Sequence, residues 1–350
     1  MNNYWRDVVA TLTRLFGARH LDLIEECAQE ALVRALEVWP YQGEPANPTA
    51  WLIQTAKRKL IDRLRRERSV ELTERAGHTE APDERPIPDD RLAMIFLCCH
   101  PSLAPETQVA LTLQAVCGLN ARQIGEAFLT PESTVAQRLV RAKRQLRDQR
   151  IEFEMPPELA PRLPAVLAVV YLLFNAGYTS ALRLDLCEEA LYLAGLLAST
   201  READALALAA LLNLQASRLP ARSQLLAQQD RSLWDQARLN KGLRYFESSL
   251  RESFSRYHIE AAIAVEHAVA PSFAETNWPL IVSHYDDLMR LAASPVVELN
   301  RAIALGFRDG PTAGLALLEE LASEPALASY ELLRDAIRAF SAAATPPRSD

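Results

Sequence analysis

LNARQIGEAFLTPESTVAQRLVRAKRQLR, residues 119–147, is the stretch whose reading decides the fold of this 350-residue chain. Asn120 is a good N-cap, and Gln123 three residues on can reach back to the cap's own amide, so a capping box opens a helix. Leu119 and Ile124 stand at the two positions of a hydrophobic staple. The pattern predicts a helix to about Phe128 and then a very short turn. There Thr130 caps a second helix, Pro131 takes its first position, and Glu132 sets negative charge at the positive end of the dipole. Along this second helix Val135, Leu139, Ala142 and Leu146 recur at spacings of three and four, which makes one buried stripe. At about 100° per residue, Thr134, Gln137, Arg138, Arg141 and Arg144 fall on the far side. Two capped helices with a tight turn form a helix-turn-helix. Its outward row of Arg and Gln suits base edges in a major groove as well as phosphates. An ordinary solvated cationic face is the alternative for an isolated amphipathic helix; the capped turn in front of this one favours duplex DNA.

Charge is distributed to match. The chain carries a net charge of -7, but residues 1–150 hold 21 Lys and Arg against 20 Asp and Glu, whereas the remainder holds 17 against 25. Lys57–Arg68 contains seven basic and two acidic residues, and Arg138–Arg150 six and one. Two local basic patches in an acidic protein favour docking on defined phosphates over nonspecific coating. The five cysteines are odd in number and form no CxxC pair, which points to a reduced, cytoplasmic chain. Cys98, Cys99 and His100 have the atoms of a metal site, but adjacent cysteines do not easily share a tetrahedral ion, so a buried helix end is expected and no metal or other cofactor. Met1–Asp7 lacks the pattern of a secretory signal, and the longest apolar run, Leu163–Phe174, is too short to span a bilayer. HExxH, GxSxG, P-loop and GxGxxG motifs are all missing and the six histidines are scattered, so no enzyme is expected.

Period-two alternation is almost absent, and the chain reads as all-α. Residues 1–68 form a first helical unit. In it Leu21–Val38 turns Leu23, Cys27, Ala31 and Leu32 inward and leaves Glu25, Glu26, Glu30 and Arg34 outward. Trp39–Pro48 is expected as a loop broken by Pro40, Gly43, Pro45 and Pro48. A helix follows from Thr49 to about Arg68, with Ile53, Ala56, Leu60 and Leu64 as its stripe. Arg58, Lys59, Arg65 and Arg66 lie off that stripe, and Asp62 is spaced to pair with Arg58 or Arg66. Residues 69–90, with seven acidic and two basic residues and three prolines, read as a linker. Residues 91–150 form a second unit of four helices ending in the helix-turn-helix. Residues 151–350 are a long Ala- and Leu-rich array whose last hundred residues suggest successive short helices of a solenoid.

The strings DLIEECAQEALVRALEVWP, NPTAWLIQTAKRKLIDRLRRE and the opening stretch together resemble the extracytoplasmic-function group of RNA polymerase sigma factors of the sigma-70 family. That group keeps only the second and fourth sigma domains. The tail, with AVVYLLFNAGY, QQDRSLWDQA, YHIEAAIAVEHA and SPVVELNRAIALGFRDGPTAGLALLEEL, resembles the subgroup whose C-terminal extension carries tetratricopeptide repeats. The resemblance implies two small helical sigma domains joined by a flexible linker and followed by a helical repeat domain. It also implies partners: core RNA polymerase, through its largest-subunit coiled coil and flap region, and promoter DNA. Glu25, Glu26, Glu30 and Arg34 would meet the coiled coil. Tyr41, Gln42 and Asn47 would hold bases of a single-stranded minus-ten element while Arg58, Lys59, Arg65 and Arg66 hold its phosphates. Thr134, Gln137, Arg138, Arg141 and Arg144 would face the minus-thirty-five duplex. Trp39 and Trp51 are expected in the core. The acidic linker would thread a positively charged channel or simply be solvated. The tail is expected to modulate activity through a regulatory protein or ligand, with no membrane partner. Gln229, Asp230, Arg231 and Trp234 match the subgroup, with no role beyond an inter-helix anchor. The alternative is a one-component helix-turn-helix regulator with a repeat-type sensor domain, which would not need the helices and basic patch of residues 22–68.

Overall fold

The computed structural model describes residues 2–71, 87–128, 130–156, 158–179, 183–222, 226–251, 254–327 and 331–344. Among them there is no β-strand, so the fold is all-α. Most of the expected acidic linker lies outside the described residues. Two compact units divide the chain at Leu196 and Leu197.

The first unit holds α1 (Asn2–Phe16), α2 (Leu21–Gln42), α3 (Pro48–Glu71), α4 (Ile87–Cys98), α5 (Pro105–Ala115), α6 (Ala121–Ala127), α7 (Glu132–Asp148), α8 (Leu163–Thr179) and the start of α9 (Leu184–Ala198). α1, α2 and α3 pack against one another, and α1 also packs against α4. In α3 the buried stripe is Leu52, Ala56 and Leu60, with Ile53 and Leu64 half-buried beside it, one residue round from the expected line. α2 runs on to Gln42 where a loop was expected from Trp39. Pro40 sits in its last turn, where its missing N–H loses a single bond, and the helix ends at Gly43, whose φ of 81° only a residue without a Cβ adopts freely and whose N–H donates to the Trp39 carbonyl at 2.9 Å.

The helix-turn-helix is built as read, with one change. Asn120 Oδ1 accepts from the Gln123 N–H (2.9 Å), and Gln123 Oε1 accepts from the Asn120 N–H (3.0 Å), which closes the capping box of α6. Thr130, however, does not cap α7: its hydroxyl donates to the Phe128 carbonyl, and Pro131 is the N-cap. The turn is so tight that a Cβ on Gly125 would stand 2.5 Å from the Thr130 carbonyl oxygen. Val135, Leu139, Ala142 and Leu146 are all buried, so the helical phase of the opening stretch is right.

The second unit holds α10 (Ala203–Ser217), α11 (Gln236–Ser249), α12 (Arg256–Val269), α13 (Trp278–Ala292), α14 (Pro295–Asp309), α15 (Pro311–Leu321) and α16 (Glu331–Ala344). α10 is apolar on all sides and is buried from Ala205 to Leu214, with α11 and α12 laid against it. From α12 onward each helix packs on the next. Ile263, Ile281, Leu288, Val297 and Leu305 make one core, and Leu299, Leu318, Leu333 and Phe340 the next. Gly306 and Gly314 let α14 and α15 come together: a Cβ on Gly314 would be 2.6 Å from the Gly306 Cα. His258 is a satisfied core residue. Its Nδ1 accepts from the Ser255 N–H (3.1 Å) and its Nε2 donates to the Ser249 carbonyl (3.1 Å).

Candidate nucleic-acid interface

On α7 the side opposite the buried stripe is open. Gln137, Arg141 and Arg144 are exposed, and Thr134 and Arg138 are half-buried. Arg144 leans on Asp148 at 3.4 Å, whereas Arg138 and Arg141 have no carboxylate partner among the described residues. Two forked cations and an amide along one helix face supply the donors that base edges and phosphates accept. The stripe that seats α7 also contains a residue absent from the sequence reading. Lys143, four residues after Leu139 and three before Leu146, is 8% exposed, and its Nζ donates to Glu25 Oε2 at 2.6 Å and lies 3.1 Å from Asp22 Oδ1.

That contact corrects the expectation for α2. Glu25 does not point to solvent; it is 5% exposed and faces α7. Burial pushes the Glu25 carboxyl up against the pull of Lys143. Burial also works to lower Lys143, but Glu25 and Asp22 together outweigh it and hold the ammonium above the ordinary lysine value. The outer acids of α2 are tied to α3 instead. Glu26 and Glu30 both bind Arg63, and Glu30 also accepts from Lys59 at 2.6 Å, a bond that keeps its carboxyl below the usual range. Lys59 is therefore an ion-pair partner and not a free phosphate holder as expected. Arg34 pairs with Glu37 at 3.0 Å on the open surface. Val33 and Leu36 stand exposed on the same helix.

Tyr41 and Gln42, placed by the unexpected last turn of α2, are fully outside, with Tyr41 90% exposed. Asn47 is also exposed, but its Oδ1 is engaged as the cap of α3, accepting from the Ala50 N–H at 3.0 Å. Trp39 and Trp51 are half-buried, meeting edge to face at 5.6 Å, and Tyr4 lies edge-on to Trp39 at 6.0 Å. Arg58, Arg65 and Arg66 are exposed, as is Asp62, for which no pair with Arg58 or Arg65 is seen among the described residues. The two basic patches meet: Arg63 and Arg66 of α3 and Arg147 of α7 share the wall of one cleft of about 670 Å³.

Long-range ties hold these helices together. Trp5 Nε1 donates to the carbonyls of Gln114 and Ala115 (both 3.2 Å), and its ring lies against Gly118, whose φ is 71° and where a Cβ would come within 3.0 Å of Cδ1. Arg6 binds Glu189 and stacks over Tyr192 at 4.2 Å; Arg91 binds Asp7 and the Tyr192 hydroxyl. Burial raises the Glu189 carboxyl despite Arg6. All five cysteines are buried; at the end of α4 burial pushes the Cys99 thiol up to about 12, and its Sγ rests 3.7 Å from Thr112 Oγ1. His100 Nδ1 accepts from the Ser102 N–H.

Residues 1–70 match the model of sigma-70 region 2, and residues 93–146 match that of sigma-70 region 4. Two stretches of the chain are thus similar to the second and fourth regions of sigma-70 factors. The two regions point to a transcription initiation factor and imply association with core RNA polymerase and promoter DNA. Uncharacterized protein R00370 of Rhizobium meliloti (strain 1021) is 39% identical over 340 residues, 89% of this chain and 80% of its own length. The extracytoplasmic-function RNA polymerase sigma factor SigE of Mycolicibacterium smegmatis is 30% identical over 142 residues, 39% of this chain and 54% of its own. Residues 162–250 match a family of unknown function, DUF6596. No solved structure matches the chain. Among the described residues, no helix is long and apolar enough to cross a membrane.

Proposed function

We propose that this chain is a sigma factor of the extracytoplasmic-function group that directs core polymerase to promoters by two-point reading. α7 enters the major groove of the minus-thirty-five duplex with Thr134, Gln137, Arg138, Arg141 and Arg144. Tyr41, Gln42 and the strand-facing end of α3 capture the minus-ten element as single strand, with Arg58, Arg65 and Arg66 on its phosphates. The observation that carries this reading is the pairing, on one chain, of a helix-turn-helix whose outer arginines Arg138 and Arg141 have no carboxylate partner among the described residues with a second basic helix behind an exposed tyrosine. Glu26, Glu30 and Arg34, with Val33 and Leu36 between them, form the face of α2 offered to the polymerase coiled coil. Glu25 joins that face only when α7 moves away, because Lys143 covers it. The helical tail, a tetratricopeptide-like array in this reading, modulates that exchange.

The test is transcription with purified core polymerase. Full-length protein is expected to confer initiation at a cognate promoter, and Arg138→Ala with Arg141→Ala to weaken recognition of the upstream element by about 1–3 kcal/mol per lost bidentate contact while the protein stays folded. Tight binding to operator duplex without polymerase, and no initiation with it, would instead identify a one-component regulator.

A further inference from the structure

The string QQDRSLWDQA, residues 228–237, stands outside both sigma regions, and the second unit gives it a structure that its resemblance alone does not explain. Asp230 caps a single 3-10 turn (Arg231–Leu233), accepting from the Ser232 N–H at 2.9 Å and its hydroxyl at 2.6 Å. The turn aims Arg231 inward. Its guanidinium lies over the Trp234 ring at 4.7 Å, and Nη1 donates to the carbonyls of His267 (2.8 Å) and Ala270 (2.7 Å) at the C-terminal end of α12. The negative end of that helix dipole satisfies one amino group of the fork.

The rest of the cluster is unmatched. Arg231 Nη2, Trp234 Nε1 and His267 Nδ1 are buried and have no hydrogen-bond partner among the described residues. Trp234 is only 4% exposed. The charged groups acting on His267 are Arg218 and Arg231, and Arg218 acts in turn on Arg231; none of them is acidic. Arg218 itself reaches Gln215 Oε1 at 2.5 Å, a neutral acceptor. Arg231 is half-buried, and its inward amino group sits beside like charge with no hydrogen bond, an arrangement that an anion would compensate. A forked cation, an indole donor that cannot accept and an imidazole able to take a proton are the donor set for a small oxyanion.

We propose that the second unit binds an oxyanion, the carboxylate or phosphate group of a small effector, between Arg231, Trp234, His267 and Arg218. Arg231 and Trp234 donate to it, Arg218 supplies long-range charge, and His267 protonates as the anion enters. The site lies in the unit outside both sigma regions and does not depend on how α7 or α3 meets DNA. It gives that unit a way to sense a metabolite: the anion would tie the Arg231 turn more firmly to the end of α12, so ligand binding would stabilise the helix stack.

The experiment is a titration of the full-length, indole-¹⁵N-labelled chain with inorganic phosphate and, separately, with acetate, with chloride as the control. The Trp234 indole resonance, identified by its loss in Trp234→Phe, is expected to shift saturably with one or both oxyanions. A response to phosphate alone or to acetate alone names the source, and a response to both means that the site reads any oxyanion. By calorimetry, Trp234→Phe, which keeps an aromatic ring in the core, should weaken binding about tenfold or more, as loss of one hydrogen bond to a charged group does. Arg218→Gln should also weaken it, and this variant leaves the buried tryptophan untouched. The proposal is overturned if neither oxyanion gives a saturable shift, if chloride gives the same shift, or if both variants bind as the parent does.

Discussion

Replacing Lys143 by Met removes the ammonium and keeps the buried stem. Lys143 and Glu25 are 8% and 5% exposed and 2.6 Å apart, so the substitution strands a carboxylate in the interior, with Asp22 at the edge of the same site unable to compensate it. Breaking a buried pair in this way costs about 3–5 kcal/mol, of which most is the penalty on the partner left behind. Glu25 has one escape, to protonate, and burial already moves its carboxyl in that direction; the cost of the substitution is therefore expected to rise with pH. The double variant Glu25→Leu with Lys143→Met removes both charges and should come back to within about 1–2 kcal/mol of the parent or exceed it. Because the chain holds two units, a single melting curve does not isolate this effect. Hydrogen exchange resolved by peptide does: amides of α2 and α7 should lose roughly two to four orders of magnitude of protection in the single variant, regain it in the double, and leave α13 to α16 unchanged. Unchanged protection in Lys143→Met, or a double variant as exposed as the single, would refute the view that this pair holds α7 on α2.

Three further outcomes follow from other parts of the structure. Gly125→Ala forces a methyl to within 2.5 Å of the Thr130 carbonyl, so the turn between α6 and α7 has to open; a loss of about 1–3 kcal/mol and weaker upstream-element binding are expected, and a variant that melts and binds like the parent would show that the turn has slack. Leu139→Asp places an unpaired charge in the stripe of α7 and should unfold the helix-turn-helix, read as loss of protection over α5 to α7; retention would mean that the helical phase is wrong. His267 is held down to about 3, by burial first and then by Arg218 and Arg231. Above the ordinary value near 6.5 it costs the fold nothing, and as pH falls from 6.5 towards 3 the unfolded chain takes up a proton that the folded one does not. In buffer without oxyanions the second unit should therefore lose stability across that window, by at most about 4–5 kcal/mol, and His267→Phe should flatten the profile. An unchanged acid profile in that variant would remove His267 as the cause.

Much of the helix-turn-helix was legible because it rests on local rules. A capping box, a staple and a three-four spacing act within one or two helical turns, so Asn120, Gln123 and the stripe of α7 could be placed from spacing alone, and the side opposite followed by rotation. Errors arose where a local rule had a competitor. Proline read as a breaker at Pro40, but in a last turn it forfeits only one bond; Thr130 read as a cap, but the close approach at Gly125 leaves its hydroxyl to the Phe128 carbonyl. Lys143 carried a usable signal, since it keeps the spacing of the stripe, yet a lysine at such a place is normally assigned to solvent until a buried acid is known to face it.

By itself the sequence determined that the chain is all-helical, where its helix-turn-helix begins, which side of α7 is apolar and that two basic helices lie on one polypeptide. Periodicity, capping and charge counts are properties of neighbouring residues and need no fold to be read. Only the tertiary structure decided which charges are spoken for. Glu25 meets Lys143, 118 residues away, Arg6 meets Glu189 across 183, and Arg231 reaches the end of α12 across 36 while its second amino group finds nothing. A charge in a sequence has a sign but no dielectric and no partner; burial supplies both, and it seats Glu25, read as solvent-facing, against Lys143 and leaves the second amino group of Arg231 without a bond.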